Sequence, residues 1–369
     1  MADSRVEKLA DLLVNYSVAV KPGDKVVIQG ETSGETLIKA VFVKVLQAGG
    51  FPYAMPTLPG MEELVYKYGN DEQLKFLPEP YKLVMSTYDA RIYVFSDSNT
   101  KALSSVDPTK SVLRSQSRSE LMKIMMKRSA SGELHWVLGP YPTNALAQDA
   151  EMSLTDYEDF VYNACLPDLN DPIGYWKNFS ARQQQIVNWL KGKQTIRVVG
   201  KETDLRMSIA GRNFENCDGK MNMPDGEVFT GPVEDSMEGH VYFSYPAIYG
   251  GREVTGVRLT FEKGEVVKAI AEKNQDYLIK TIATDEGSRR VGEFAIGTNE
   301  GIKKFTREIL FDEKIGGSFH MALGSGYPET GSKNESAIHW DMVCDLRDGG
   351  EIWVDNILFY KNGKFIIKY

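Results

Sequence analysis

The chain has 369 residues, more than one ordinary hydrophobic core holds, so two domains are expected. Apolar residues make up 42% and charged ones 25%, a globular rather than a disordered balance. A formal charge of −8 argues against a general nucleic-acid binder, which needs clustered Lys and Arg, and no apolar run approaches the length of a membrane span.

Asp3 or Ser4 caps a first helix in which Val6, Leu9, Ala10, Leu13 and Val14 fall at helical spacing. This charged N-terminal stretch lacks the apolar core of a secretory signal. The three cysteines, Cys165, Cys217 and Cys344, are widely spaced and odd in number. No disulfide framework is expected, and the compartment reads as a reduced cytoplasm.

After the Pro22-Gly23-Asp24 turn, residues 25–30 read as a buried strand, 35–47 as a helix stopped at Gly49-Gly50, and 51–55 as a second strand. That is a βαβ unit, so a parallel sheet is expected. The alternation continues with a helix at 66–76, a strand at 90–95, a helix at 117–127 and a strand at 134–138. His135 has no carboxylate two residues away and reads as structural. Gly30-Glu31-Thr32-Ser33-Gly34 lacks the spacing of a phosphate-binding loop and reads as a β-to-α turn. Thr155 and Glu158 have capping-box spacing, and a further helix covers 176–190. The domain boundary is placed after it. Residues 1–192 then form an α/β domain with a mostly parallel sheet.

Residues 193–369 change texture and predict an α+β domain with a mostly antiparallel sheet. Strands are expected at 195–199, 204–209, 241–245, 256–261 and 266–270, with helices at 275–284 and 299–305. A strand at 352–359, an Asn362-Gly363 turn and a strand at 365–369 form a closing hairpin.

The chemistry gathers in this second half. The chain has four histidines, and two of them, His320 and His339, stand within one glycine-rich segment. In a strand, side chains two apart share a face, so in His339-Trp340-Asp341 the imidazole and the carboxylate project together. Such a pair suits zinc, cobalt, manganese or iron. Around His320, Phe319, Met321 and Leu323 alternate with His320, Ala322 and Gly324, which leaves His320 on a face of small residues. Glu227 is held between a Pro224-Asp225-Gly226 turn and an apolar strand, and Glu293 is alone in the apolar run 291–297. A buried glutamate needs a cation: a metal, a lysine, or an arginine such as Arg289 or Arg290. Two imidazoles and three carboxylates suit a two-metal hydrolytic centre, with metals roughly 3.5–4 Å apart. His240 is a weaker sixth candidate, and Glu313 is placed behind the ligands at most. Tyr327 lies on the loop between the two histidine segments and, by itself, reads equally as a packed aromatic.

At these residues the chain resembles the aminopeptidase T / AmpS / PepS family of metallo-aminopeptidases. The resemblance spans essentially the whole length. It is carried by MPDGEVFTGPVEDS, VGEFAIG, FDEKIGGSFHMALGSGYPE and NESAIHWDM, and in the first half by DARIYVFSDSNTKALSSVD and YPTNALAQDAEMSLTDYEDFVYNAC. It implies a cytoplasmic exopeptidase, a homodimer, that removes N-terminal residues from peptides through a metal-bound hydroxide. It also implies two divalent ions, whether zinc, cobalt, manganese or magnesium. The family's metal ligands fall on Glu227, Glu293, His320, His339 and Asp341, and its active-site tyrosine on Tyr327. Tyr327 would donate to the developing oxyanion, and Glu293 would shuttle the proton. The residues after Asp341 vary among relatives, which leaves substrate preference open. The scaffold also resembles mononuclear iron ring-opening dioxygenases acting on dihydroxypyridines, which would use a triad of His320, His339 and Asp341. Such a site has no need of Glu227 and Glu293. A non-catalytic relative is the remaining alternative, and the intact ligand set argues against it.

Overall fold

A computed structural model describes residues 3–367. The chain divides into two compact units, one running through Trp176 and including Gly219–Pro224, the other made of Lys177–Asp218 and the residues from Asp225 onward. The division falls within the helix Pro172–Leu190, where the sequence reading places the boundary after that helix.

The first unit holds a four-stranded parallel sheet in the order β2-β1-β3-β4. Its strands are β1 (Lys25–Glu31), β2 (Phe51–Thr57), β3 (Ala90–Phe95) and β4 (His135–Pro140). β1 is central and covered on both faces: Val26, Val27 and Ile28 are all buried and the strand reads as a continuous apolar run. β2 lies at the edge. Its Phe51 N–H turns inward to the Asp24 carbonyl, so by strand alternation positions 52, 54 and 56 face outward. Two of these are Pro52 and Pro56, which have no N–H to offer another strand.

Local chemistry adjusts the helix bounds. The helix expected at 66–76 is two helices, Met61–Tyr68 and Asp71–Lys75. Gly69 ends the first, and Asn70 starts the second through a reciprocal capping box with Gln73. The Thr155–Glu158 box does not form, because Ser153 caps the helix Leu154–Cys165 by accepting from the Asp156 N–H.

The second unit contains two antiparallel sheets and a small hairpin. In chain order the strands are β5 (Thr195–Gly200), β6 (Thr203–Ser208), β7 (Glu215–Cys217), β8 (Glu227–Thr230), β9 (Glu238–Tyr242), β10 (Ala247–Tyr249), β11 (Arg252–Val254), β12 (Arg258–Glu262) and β13 (Glu265–Ile270). They continue with β14 (Val291–Gly297), β15 (Ser318–Gly324), β16 (His339–Asp345), β17 (Glu351–Val354), β18 (Ile357–Lys361) and β19 (Lys364–Phe365). Eight strands run β13-β12-β9-β6-β5-β17-β18-β19, five run β16-β15-β14-β8-β7, and β10 pairs with β11. One apolar core joins the two sheets: Val198, Leu205, Val241 and Leu259 from the larger, Phe294, Met321, Trp340 and Met342 from the smaller. Among the described residues no helix is long and apolar enough to cross a membrane.

Two expectations need correction here. Residues 299–305 form no helix. Asn299 instead spends its side chain on the Asp225 carbonyl and the Gly301 N–H, and the short helix Ile309–Asp312 follows. The strand expected at 352–359 is two strands, β17 and β18, folded back at Asp355-Asn356. Both turn residues have positive φ, 49° and 62°, which suits the tight hairpin turn. The Asn362-Gly363 turn joins β18 to β19 as expected, while residues 368–369 of the predicted last strand lie outside the described residues.

Candidate metal centre

The five-stranded sheet has one face in the core and one that carries chemistry. Phe294, Ile296, Phe319, Met321, Leu323, Trp340 and Met342 point into the core. Alternation then puts Glu227, Glu293, Ala295, His320, Ala322, Gly324, His339 and Asp341 on the other face. Register brings them together. Ala322 stands between Glu293 on β14 and Asp341 on β16, and His339 lies opposite Gly324.

A bulge breaks the register just before Glu293. Val291 pairs with Leu323 and Glu293 with Ala322, so the ladder slips by one residue at Gly292. The slip lets Val291 turn into the core while Glu293, two residues on, keeps the open face set by alternation with Phe294 and Ile296. A Cβ at Gly292 would fall 2.3 Å from the Gly324 oxygen, and one at Gly324 would fall 2.1 Å from the Ile338 oxygen, so both positions require glycine.

The ligand-type atoms converge without bonding one another tightly. His320 Nε2 is 3.5 Å from both Glu227 Oε2 and Glu293 Oε1, and 4.0 Å from Asp341 Oδ1. His339 Nε2 is 3.3 Å from Glu293 Oε2 and 3.5 Å from Asp341 Oδ1. Two ligand atoms on one tetrahedral zinc, each at about 2.1 Å, stand about 3.4 Å apart. The atoms fall into ligand-spaced groups: Glu227, Glu293 and His320; Glu293, His339 and Asp341; and Glu313, His320 and Asp341. Glu293 belongs to two of them, one oxygen turned to each imidazole.

The imidazoles are also oriented from behind. His320 Nδ1–H donates to the Glu313 carbonyl at 3.0 Å, and His339 Nδ1–H donates to the Ser325 carbonyl at 2.8 Å. A carbonyl only accepts, so each Nδ1 carries the proton and each Nε2 is presented to the cluster.

These residues fit divalent cations. Glu227 Oε2, His320 Nε2 and Asp341 Oδ1 are buried without a hydrogen-bond partner, a costly arrangement unless something else completes them. The electrostatics agree. Burial works against a charged His320, yet Glu293, Glu227 and Asp341 push it up to about 10. Burial is likewise overcome at His339, which Asp341 and Glu293 push up to about 12. Burial raises Glu293, but the two imidazoles hold it down at about 2. Glu227 is pushed up to about 8, chiefly by burial. In the metal-free chain, protons supply the positive charge that this donor set demands.

Tyr327 is half-buried on the loop after β15, its ring edge-on to Phe229 (5.2 Å) and to His339 (5.4 Å). Burial and the nearby Glu293 and Asp341 carboxylates raise its hydroxyl pKa well above the ordinary value. His240 is exposed on β9, opposite Asp204 and Thr260, and His135 is exposed at the start of β4. Neither joins the cluster. Arg290 does not pair with Glu293 but with Glu265.

Two residues carry more than their sequence context suggests. Glu313 is ligand-spaced with His320 and Asp341, and Lys314 is wholly buried beside Glu227, Asp225 and Glu313. The available signal was a charged triplet, Asp312-Glu313-Lys314, set between the apolar residues 309–311 and the strand that carries His320.

Residues 2–365 match the family of thermophilic metalloproteases, M29. The chain belongs to that family. It is an enzyme, a hydrolase of the metallo-aminopeptidase class. Aminopeptidase T of Thermus thermophilus is 26% identical over 92% of this chain and 91% of its own. The structure of wild-type AmpT from Thermus thermophilus superposes with a TM-score of 0.86 at 23% identity, covering 99% of each chain. The 2,5-dihydroxypyridine dioxygenase of Pseudomonas putida KT2440 shares the fold, with a TM-score of 0.63 at 14% identity over 100% of this chain and 99% of that one.

Proposed function

We propose that this M29 metalloprotease removes N-terminal residues from peptides with a dinuclear centre. Glu227, Glu293 and His320 hold one cation; Glu293, His339 and Asp341 hold the other. The observation that carries this reading is Glu293, whose two oxygens face two different imidazoles at 3.5 and 3.3 Å. A mononuclear iron triad of His320, His339 and Asp341 gives no reason for Glu227 and Glu293 to be buried in the same cluster. The mixed nitrogen and carboxylate set accepts zinc, cobalt, manganese or magnesium.

When bound, such ions supply Lewis acidity toward the scissile carbonyl and a hydroxide nucleophile near neutral pH. The chain's own residues do the rest. His320 and His339 are locked by their Nδ1–H bonds, so the Nε2 atoms need no reorganisation. Tyr327 keeps its proton and donates it in a hydrogen bond to the oxyanion that develops. In this reading Glu293 commits both oxygens to cations, which leaves none for the proton shuttle that the resemblance implies for it. Glu313, whose pKa burial raises, is better suited to carry the proton to the leaving amine. The protein works in a reduced compartment as a homodimer. Three free cysteines support the first, and light scattering tests the second.

The deciding experiment is hydrolysis of aminoacyl amides and short peptides by the metal-reconstituted protein, beside Glu293→Ala and His339→Ala. Release of N-terminal residues that disappears in both variants is expected. Internal cleavage, or no release with any of the four metals, would overturn the reading.

A further inference from the structure

Lys314 lies in the loop between the helix Ile309–Asp312 and β15, and its side chain is 0% exposed. Its Nζ is 3.3 Å from Glu227 Oε1 and 3.9 Å from Asp225 Oδ1, and it pairs with the Glu313 carboxylate. An ammonium has three N–H donors, and here three carboxylates surround it. Cys217, Asp225 and Glu227 are also ligand-spaced, but the ammonium already stands among their carboxylates. The charge that a cation would bring to that group is therefore part of the chain.

Glu227 divides its two oxygens. Oε1 receives Lys314, while Oε2 makes no hydrogen bond and lies 3.5 Å from His320 Nε2. The terminal torsion of a glutamate is soft, so a carboxylate held at one oxygen is aimed and one held at neither is not. We infer that Lys314 is a positioning residue for metal binding: its ammonium grips Glu227 by Oε1 and so aims Oε2 at the cation shared with Glu293 and His320. The inference rests on the ligand role proposed for Glu227.

The test is Co2+ binding to the metal-stripped chain, followed by calorimetry and by the visible absorption of the bound ion. Four proteins are compared: wild type, Glu227→Gln, Lys314→Met and the double variant. Lys314→Met keeps the unbranched stem of the side chain, one atom shorter, and removes its charge. It is expected to weaken the same class of site that Glu227→Gln weakens, by about 10- to 100-fold, as the loss of a residue behind a ligand does. In the Glu227→Gln background, adding Lys314→Met is expected to change the affinity by less than about threefold, because the residue it acts through is gone. If Lys314→Met does not fold, the double variant decides, since it leaves no carboxylate at Glu227 facing an absent partner. Wild-type Co2+ affinity in Lys314→Met beside a weakened Glu227→Gln would overturn the inference and leave the ligand reading standing. So would a double variant much weaker than Glu227→Gln alone. Wild-type affinity in Glu227→Gln would overturn the ligand reading and the inference with it.

Discussion

Glu293 Oε2 stands 3.3 Å from His339 Nε2, although their strands are not neighbours and β15 lies between them. The contact spans the sheet because the open face of β15 carries only Ala322, opposite Glu293, and Gly324, opposite His339, with almost no side chain to interrupt it. The other Glu293 oxygen faces His320 at 3.5 Å. Glu293→Ala should therefore remove a ligand from both cations, whereas His339→Ala should remove one from a single cation. Elemental analysis after equilibrium dialysis should show Glu293→Ala binding neither ion at a concentration where His339→Ala retains one. Equal occupancy in the two variants would contradict the bridging role.

Tyr327 is braced edge-on between Phe229 and His339. Tyr327→Phe keeps that packing and removes only the hydroxyl. A donor that acts on the developing oxyanion should cost about 10²- to 10³-fold in kcat when lost. KM should change little, and metal content not at all. A rise in KM with kcat preserved would place the hydroxyl in substrate binding instead.

The parallel and antiparallel halves were legible in the sequence because periodicity reports which faces are buried: β1 reads as a continuous apolar run, whereas strands such as β6 alternate. His339 and Asp341 share a face, with Trp340 turned into the core, for the same reason. What alternation does not report is a slip in it. The Gly292 bulge turns Val291 into the core although Glu293, two residues on, faces the histidines, and no count of two along 291–297 reveals that. Lys314 was illegible for a different reason. A lysine beside a glutamate ordinarily reads as solvated surface, and only the fold shows it enclosed by Asp225, Glu227 and Glu313. The turn at Asp355-Asn356 was missed because neither residue is a glycine, although both take positive φ.

Metal uptake should be linked to protons. His320 and His339 are held up at about 10 and about 12 in the metal-free chain. At pH 7 both carry protons that a cation must displace. Calorimetry in buffers of differing ionisation enthalpy should then show proton release on binding, and binding should weaken as the pH falls. The sign for stability follows from the same shifts. Raised histidines stabilise the metal-free fold in full below the unfolded value of about 6.5, and that contribution is lost as the pH rises through about 10 and then about 12. Glu227, raised to about 8, acts in the same direction, its contribution lost as the pH rises through that value. Glu293, held at about 2, acts oppositely, but its contribution is lost only on acidification toward that value. Between pH 7 and 10 the Tm of the stripped chain should fall, and that of the loaded chain should fall less. Parallel Tm curves for the two forms would contradict the linkage.

Ala322 gives the most direct test that the open face of the sheet is built for ions. It is fully buried, and Glu293 and Asp341 stand on either side of it in the ladder. Leu at this position would put three further carbons where the carboxylates and imidazoles converge. Overpacking of that kind typically costs about 1–3 kcal/mol, which a chain of this size tolerates. Ala322→Leu should therefore remain folded by circular dichroism and lose bound metal and peptide hydrolysis together. Met321, its neighbour, points to the core on the opposite face. Met321→Leu conserves volume there and should cost less than about 1.5 kcal/mol with metal binding intact. Full metal content in Ala322→Leu would mean that the ions are held elsewhere than on this face.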